Sequence, residues 1–133
     1  MRVVIDTNVL VSGIINPHGS PGRVVDLIVS QAITVVFDDR ILSEYRDVLL
    51  RPVFAFQPGD VNALLDFIGF SGEHVTAGPV DLILPDSTDL PFLEVAIAGS
   101  VDALVTGNLR HYKPVRGRPA VSILSPAEFL RLI

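Results

Sequence analysis

Short aliphatic runs alternate along this chain with longer stretches whose apolar residues recur every three or four positions. Residues 2–5 form a β-branched run ending at Asp6, and residues 33–37 form another, closed by Asp38 and Asp39. Runs at 74–77, 101–106 and 121–124 complete the predicted strands. Between them the period changes to that of helices. Ser20-Pro21 supplies an N-cap and a proline at the first helical position ahead of Val24, Val25, Leu27 and Ile28. A helix over 40–50 carries Ile41, Tyr45, Val48 and Leu49, and Arg51-Pro52 stops it. Pro58-Gly59-Asp60 opens a third helix with Val61, Leu64, Leu65 and Ile68, ended by Gly69 or Gly72. A polar, proline-punctuated loop over 79–89 leads to a helix over 90–98, with Pro91 in its first turn and Gly99 at its end. Ser125-Pro126-Ala127-Glu128 combines a capping box with proline at N1 and starts the last helix. Residues 9–15 are apolar but broken by Gly13, and no element is assigned to them. Strands alternating with helices, each strand a continuous apolar run, predict an α/β fold whose parallel sheet is covered on both faces.

Composition narrows the function classes. The 133 residues suit one domain, expected to span 1–133, and the absence of cysteine removes disulfides, thiolate zinc sites and cysteine nucleophiles. Apolar residues make up 49% and charged residues 19%, so the chain folds rather than staying disordered, with apolar surface to spare for a partner. No apolar run reaches the length of a membrane span, and the N-terminus meets Asp6 too soon for a signal peptide. A cytoplasmic protein is expected. The net charge of −5 argues against a simple basic groove for nucleic acid, but not against phosphate contacts made through bound cations. Residues 107–118 hold Arg110, Lys113, Arg116 and Arg118, four of the ten basic residues and none of the fifteen acids. That stretch is either a solvated loop or a phosphate contact.

Open parallel sheets bind ligands beyond the carboxyl ends of their strands, where strand order reverses. The residues leaving the predicted strands are Asp6-Thr7-Asn8 and Thr106-Gly107-Asn108. No phosphate-binding P-loop, dinucleotide fingerprint or serine nucleophile elbow follows any strand. Asn8 stands where an aspartyl-phosphate phosphatase needs its second acid, and the single lysine, Lys113, is not at a strand end as a phosphoacceptor domain requires. Carboxylates remain. Asp6 has a plainer explanation as a cap, but residues 9–15 give it no clear helix to cap, which favours a functional role. Glu44 shares or borders the apolar face of its helix, where an unpaired acid is costly; alternatively it reaches solvent or pairs with Arg40. Asp89 is an N-cap for the helix carrying Phe92, Val95 and Ala96, or a ligand. Asp86 is a neighbouring turn acid, Glu94 has no determined facing, and Asp47 is solvated. Hard oxygen donors from separate elements, with little histidine, suit Mg²⁺ or Mn²⁺ rather than zinc.

Four blocks carry a family likeness. They are residues 4–12 (Val-Ile-Asp-Thr-Asn-Val-Leu-Val-Ser), residues 41–49 with Arg51-Pro52, Asp86-x-x-Asp89-x-x-Phe92-Leu93-Glu94-x-Ala96, and residues 103–108 (Ala-Leu-Val-Thr-Gly-Asn). In order, spacing and total length the chain resembles PIN-domain proteins, specifically the toxin components of toxin–antitoxin systems. The resemblance implies a three-layer α/β/α sandwich and a metal-dependent ribonuclease leaving 3′-hydroxyl and 5′-phosphate ends. It places the metal ligands at Asp6, Glu44 and Asp89, with Thr7, Asn8 and Thr106 supporting them by hydrogen bonds. The fourth family acid is replaced by Asn108, a neutral ligand or water-orienting group, and His111 stands where some relatives carry an acid. Arg110, Lys113, Arg116 and Arg118 are expected to hold flanking phosphates, with His111 and Tyr112 stacking on an unpaired base. Expected partners are RNA, a cognate antitoxin and a second copy of the chain. Two other readings stay open: a catalytically silent PIN domain that binds RNA or protein, and a small phosphatase or phosphoacceptor domain.

Overall fold

Strand order, rather than strand content, puts the chemistry of this chain in one place. A computed structural model describes residues 1–133. Five strands, β1 (Arg2–Ile5), β2 (Thr34–Phe37), β3 (Glu73–His74), β4 (Ala103–Val105) and β5 (Ile123–Leu124), pair in parallel in the order β3-β2-β1-β4-β5. Succession runs outward from β1 to β2 and β3, then crosses back to β4 on the other side. The reversal therefore lies between β1 and β4, where Ile5 is level with Val105. Asp6 and Thr106, each the next residue of its strand, are side by side at the carboxyl edge, and the Asp6 amide donates to the Val105 carbonyl at 2.9 Å.

The helices are α1 (Thr7–Ile15), α2 (Ser20–Val29), α3 (Asp39–Leu49), α4 (Pro58–Ser71), α5 (Leu90–Ala98) and α6 (Pro126–Leu130). They flank the sheet to give the expected α/β/α sandwich: α5 packs against β1, β2 and β4, α3 and α4 against β2, and α6 against β4 and β5. The three central strands β1, β2 and β4 are buried nearly throughout, with Val3, Val4, Ile5, Ala103, Leu104 and Val105 fully so, whereas the edge strand β3 is not. This double burial is why they read as unbroken apolar runs. No helix is long and apolar enough to cross a membrane.

Three local expectations need correction. Residues 7–15 form α1, which begins directly after Asp6. The apolar character that obscured it comes from burial of Val9 and Leu10 and from close packing on α2, where a Cβ at Gly13 would meet the Pro21 carbonyl at 2.8 Å. Ser20 is the first residue of α2 rather than its cap; Gly19 holds the cap position, with no side-chain hydrogen bond. The third strand is Glu73–His74 alone. By contrast, α5 starts and ends where its proline and Gly99 predict, and Ser125 and Glu128 form the reciprocal capping box.

Candidate active site

Asp6 sits at the N-cap position of α1, yet its carboxylate makes no cap hydrogen bond. It turns instead toward β4 and the turn beyond it. Thr106 Oγ1 donates to Asp6 Oδ2 at 2.8 Å, the Tyr112 hydroxyl at 3.1 Å, and the Asn8 amide at 3.4 Å. All three side-chain donors converge on Oδ2, and Oδ1 receives none of them. Asp6 is 4% exposed. Burial pushes its pKa up to about 6, with the charge of Asp89 adding to the rise and the hydrogen bonds from Thr106 and Tyr112 opposing it.

The other two predicted acids come to the same edge. Glu44, on α3, accepts a hydrogen bond from Thr7 Oγ1. Its pKa is raised by burial and by repulsion from Asp6 and Asp86, and the charge of Arg51 pulls against this. It does not pair with Arg40, whose guanidinium bridges Asp38 at 2.8 Å and Glu94 at 2.7 Å. Glu94 is thus buried in a pair with Arg40 and also accepts the Val80 amide. Asp47 is exposed as expected. Asp89 occupies the N-cap position of α5 without capping it; burial raises its pKa, repulsion from Asp86 and Glu44 adds to this, and His111 opposes it. Asp86 caps the short 3-10 turn Ser87–Asp89 that precedes α5, accepting Thr88 N at 3.0 Å and Thr88 Oγ1 at 2.7 Å.

Thr7, Asn8 and Thr106 stand around this cluster. Asn8 ties the two strand ends together, its Oδ1 accepting the Gly107 amide at 2.8 Å. A Cβ on Gly107 would lie 3.1 Å from that oxygen, so the close approach favours glycine. Thr106 Oγ1 accepts the Asn108 amide at 3.0 Å while donating to Asp6. The Asn108 side chain lies against His111 (Nδ2 to Nε2, 2.9 Å), and His111 Nδ1 lies 2.8 Å from Asp89 Oδ2.

The basic stretch divides. Arg116 is held by Glu128 in two contacts of 3.0 and 2.7 Å, whereas Arg110, Lys113 and Arg118 are exposed and form no ion pair. Tyr112 is not available to stack on a base: it is fully buried, with its hydroxyl on Asp6. Tyr45 is likewise buried and donates to the Ile5 carbonyl beneath the site. Tyr45 reads in the sequence only as an apolar position of its helix, Arg51 only as the stop of that helix, and Tyr112 as a base-stacking residue rather than a support for Asp6. A tyrosine at helical spacing looks like core until the fold shows what its hydroxyl meets.

None of the ion pairs reaches Asp6 or Glu44, and Asp89 has only His111. Buried, mutually repelling carboxylates with so little compensating charge fit a hard divalent cation.

The chain matches the PIN-domain family model over residues 2–110. An uncharacterized protein of Methanocaldococcus jannaschii is 33% identical over 111 residues, covering 81% of this chain and 71% of that protein. The crystal structure of VapBC2 from Rickettsia felis bound to a DNA fragment from their promoter aligns over 94% of this chain and 98% of the matched one, with TM-score 0.59 and 19% identity. At that identity the likeness is one of fold. The family match spans β1 to the turn after β4 and so takes in every acid of the cluster: the protein is a member of the PIN-domain family.

Proposed function

We propose that the protein is a divalent-metal-dependent endoribonuclease acting as the toxin of a toxin–antitoxin pair. The observation that carries the nuclease reading is the convergence of Asp6, Glu44 and Asp89 on the carboxyl edge with no basic residue paired to Asp6 or Glu44. PIN domains are generally nucleases, and the VapBC2 likeness supports the toxin assignment. In this reading Asp6, Glu44 and Asp89 hold Mg²⁺ or Mn²⁺. Such a cation polarises a phosphate oxygen and lowers the pKa of a water bound to it. The protein groups prepare that site: Thr106 and Tyr112 hold Asp6 in one rotamer by Oδ2, and Thr7 orients Glu44. Asn108 presents a neutral side chain where the family's fourth acid is expected. Arg110, Lys113 and Arg118 are the free cations for flanking phosphates, and Arg116 is partly committed to Glu128. RNA, a cognate antitoxin and a second copy of the chain are the proposed partners, in the cytoplasm.

The test is cleavage of single-stranded RNA by the purified protein with Mn²⁺ or Mg²⁺, repeated with Asp6→Asn. Cleavage that disappears in the variant and in EDTA supports the nuclease. One observation favours a second reading, a silent PIN domain that binds RNA or protein: the His111 imidazole occupies the cluster beside Asp89. RNA binding of equal strength in wild type and Asp6→Asn, with no cleavage by either, would select that reading.

A further inference from the structure

His111 is the one member of the cluster that an all-oxygen cation site does not need. It lies on the 3-10 turn Leu109–Tyr112, which the buried Tyr112 hydroxyl anchors to Asp6. Both ring nitrogens have partners, Asp89 on Nδ1 and Asn108 on Nε2. Across from it, the short 3-10 turn Ser87–Asp89 sets Asp86 and Asp89 on the same side. Ligand atoms of Asp86, Asp89 and His111 all lie within 4.8 Å of one another. A cation with bonds of about 2.1 Å sets cis ligands about 3 Å apart and trans ligands about 4.2 Å apart. The three side chains therefore close on an ion by small rotations.

We propose that Asp86, Asp89 and His111 form a second cation subsite beside Asp6 and Glu44, sharing Asp89, which takes a first-row transition ion such as Mn²⁺ or Co²⁺ in preference to Mg²⁺. The proposal rests on the metal-centre reading only through the shared Asp89. Mg²⁺ demands oxygen donors and retains its waters, whereas an imidazole nitrogen favours the transition ions. Asn108 completes the arrangement. A coordinating Nδ1 must be free of its proton, so the proton sits on Nε2, where rotation of the Asn108 amide presents an oxygen to accept it. The amide can serve that tautomer; an acid at the same place would add charge and repel Asp89. The positions of Asn108 and His111 then have a single explanation, the replacement of an oxygen ligand by a nitrogen one with its own supporting partner.

The experiment is equilibrium binding of Co²⁺ and Mg²⁺ to the whole metal-free chain, by calorimetry and by the visible Co²⁺ spectrum, for wild type, His111→Gln and Asp86→Asn. Asp86 makes only local contacts with Thr88, so Asp86→Asn keeps the test alive should His111→Gln misfold. Wild type is expected to prefer Co²⁺. Each variant should lose at least about tenfold in Co²⁺ affinity, and His111→Gln should leave Mg²⁺ affinity unchanged. Nitrogen-detected NMR adds a direct readout: Zn²⁺ should shift His111 Nδ1 and leave His18 and His74 in place. Wild-type Co²⁺ affinity in a folded His111→Gln protein, or an unmoved His111 signal, overturns the proposal. Because no RNA is used, the two readings fail separately. Cleaving protein with His111-independent binding sinks the subsite alone; His111-dependent binding without cleavage sinks the nuclease alone.

Discussion

A carboxylate buried to 4% exposure and facing other acids is a liability that a capping role would not explain. Burial and neighbouring charge lift Asp6 from its ordinary 3.8 to about 6, so between those two pH values the native metal-free protein holds a proton that the unfolded chain releases. The stability this group contributes is complete below pH 3.8 and is lost as pH rises through 6. A shift of two units corresponds to roughly 3 kcal/mol. Urea denaturation without metal should therefore show stability falling between pH 4 and pH 7, and Asp6→Asn should flatten most of that slope. An identical slope in both proteins would refute the assignment. Tyr112→Phe removes one donor from Asp6 Oδ2. It should cost about 1 kcal/mol at neutral pH and move the Asp6 titration, followed by carboxyl-carbon NMR, further upward, since the lost hydrogen bond favoured the ionised form.

At the scale of elements, packing of α1 on α2 decides how the segment after Asp6 behaves. A Cβ at Gly22 would lie 2.2 Å from the Pro17 carbonyl oxygen, which is backbone and has nowhere to go. Gly22→Ala should cost about 1–3 kcal/mol in thermal or urea unfolding. Gly59, in the first turn of α4 with nothing near its would-be Cβ, is the matching control: Gly59→Ala should be neutral or slightly stabilising. The same packing explains what was legible locally and what was not. Pro91 with Gly99, and Ser125 with Glu128, act within a few residues of the ends they define, so α5 and α6 are readable from the chain. For α1 no side-chain cap hydrogen bond exists, and Val9, Leu10 and Gly13 are chosen by what they touch on other elements. Its apolar run carries no helical period for that reason. Glu44 shows the complementary case: spacing leaves it between solvent and core, and only Thr7, from a different helix, fixes its place.

For the molecule as a whole, the balance of charge at the carboxyl edge predicts how it responds to metal. Repulsion among Asp6, Glu44, Asp86 and Asp89 weakens the metal-free protein above pH 6, and a divalent cation bound to the native state alone relieves it. Saturating Mn²⁺ at pH 7.5 should raise the unfolding free energy, by about 2.7 kcal/mol at one hundred times Kd. EDTA should reverse the gain, and Asp6→Asn or Glu44→Gln should abolish most of it; differential scanning fluorimetry suffices to read this. A Tm indifferent to Mn²⁺ in wild type would argue against a metal centre.

The chain's own pattern was enough to establish an α/β class, most element positions and three acids worth suspecting, because burial on both faces of a parallel sheet and capping chemistry leave local marks in the residues themselves. Membership of the site was another matter. That Asp6 is held by Tyr112, that Glu94 is spent on Arg40, and that His111 stands among the acids depend on side chains far apart in sequence being brought together by the fold. Distances of that kind are set by how the layers pack. No spacing along the chain encodes them.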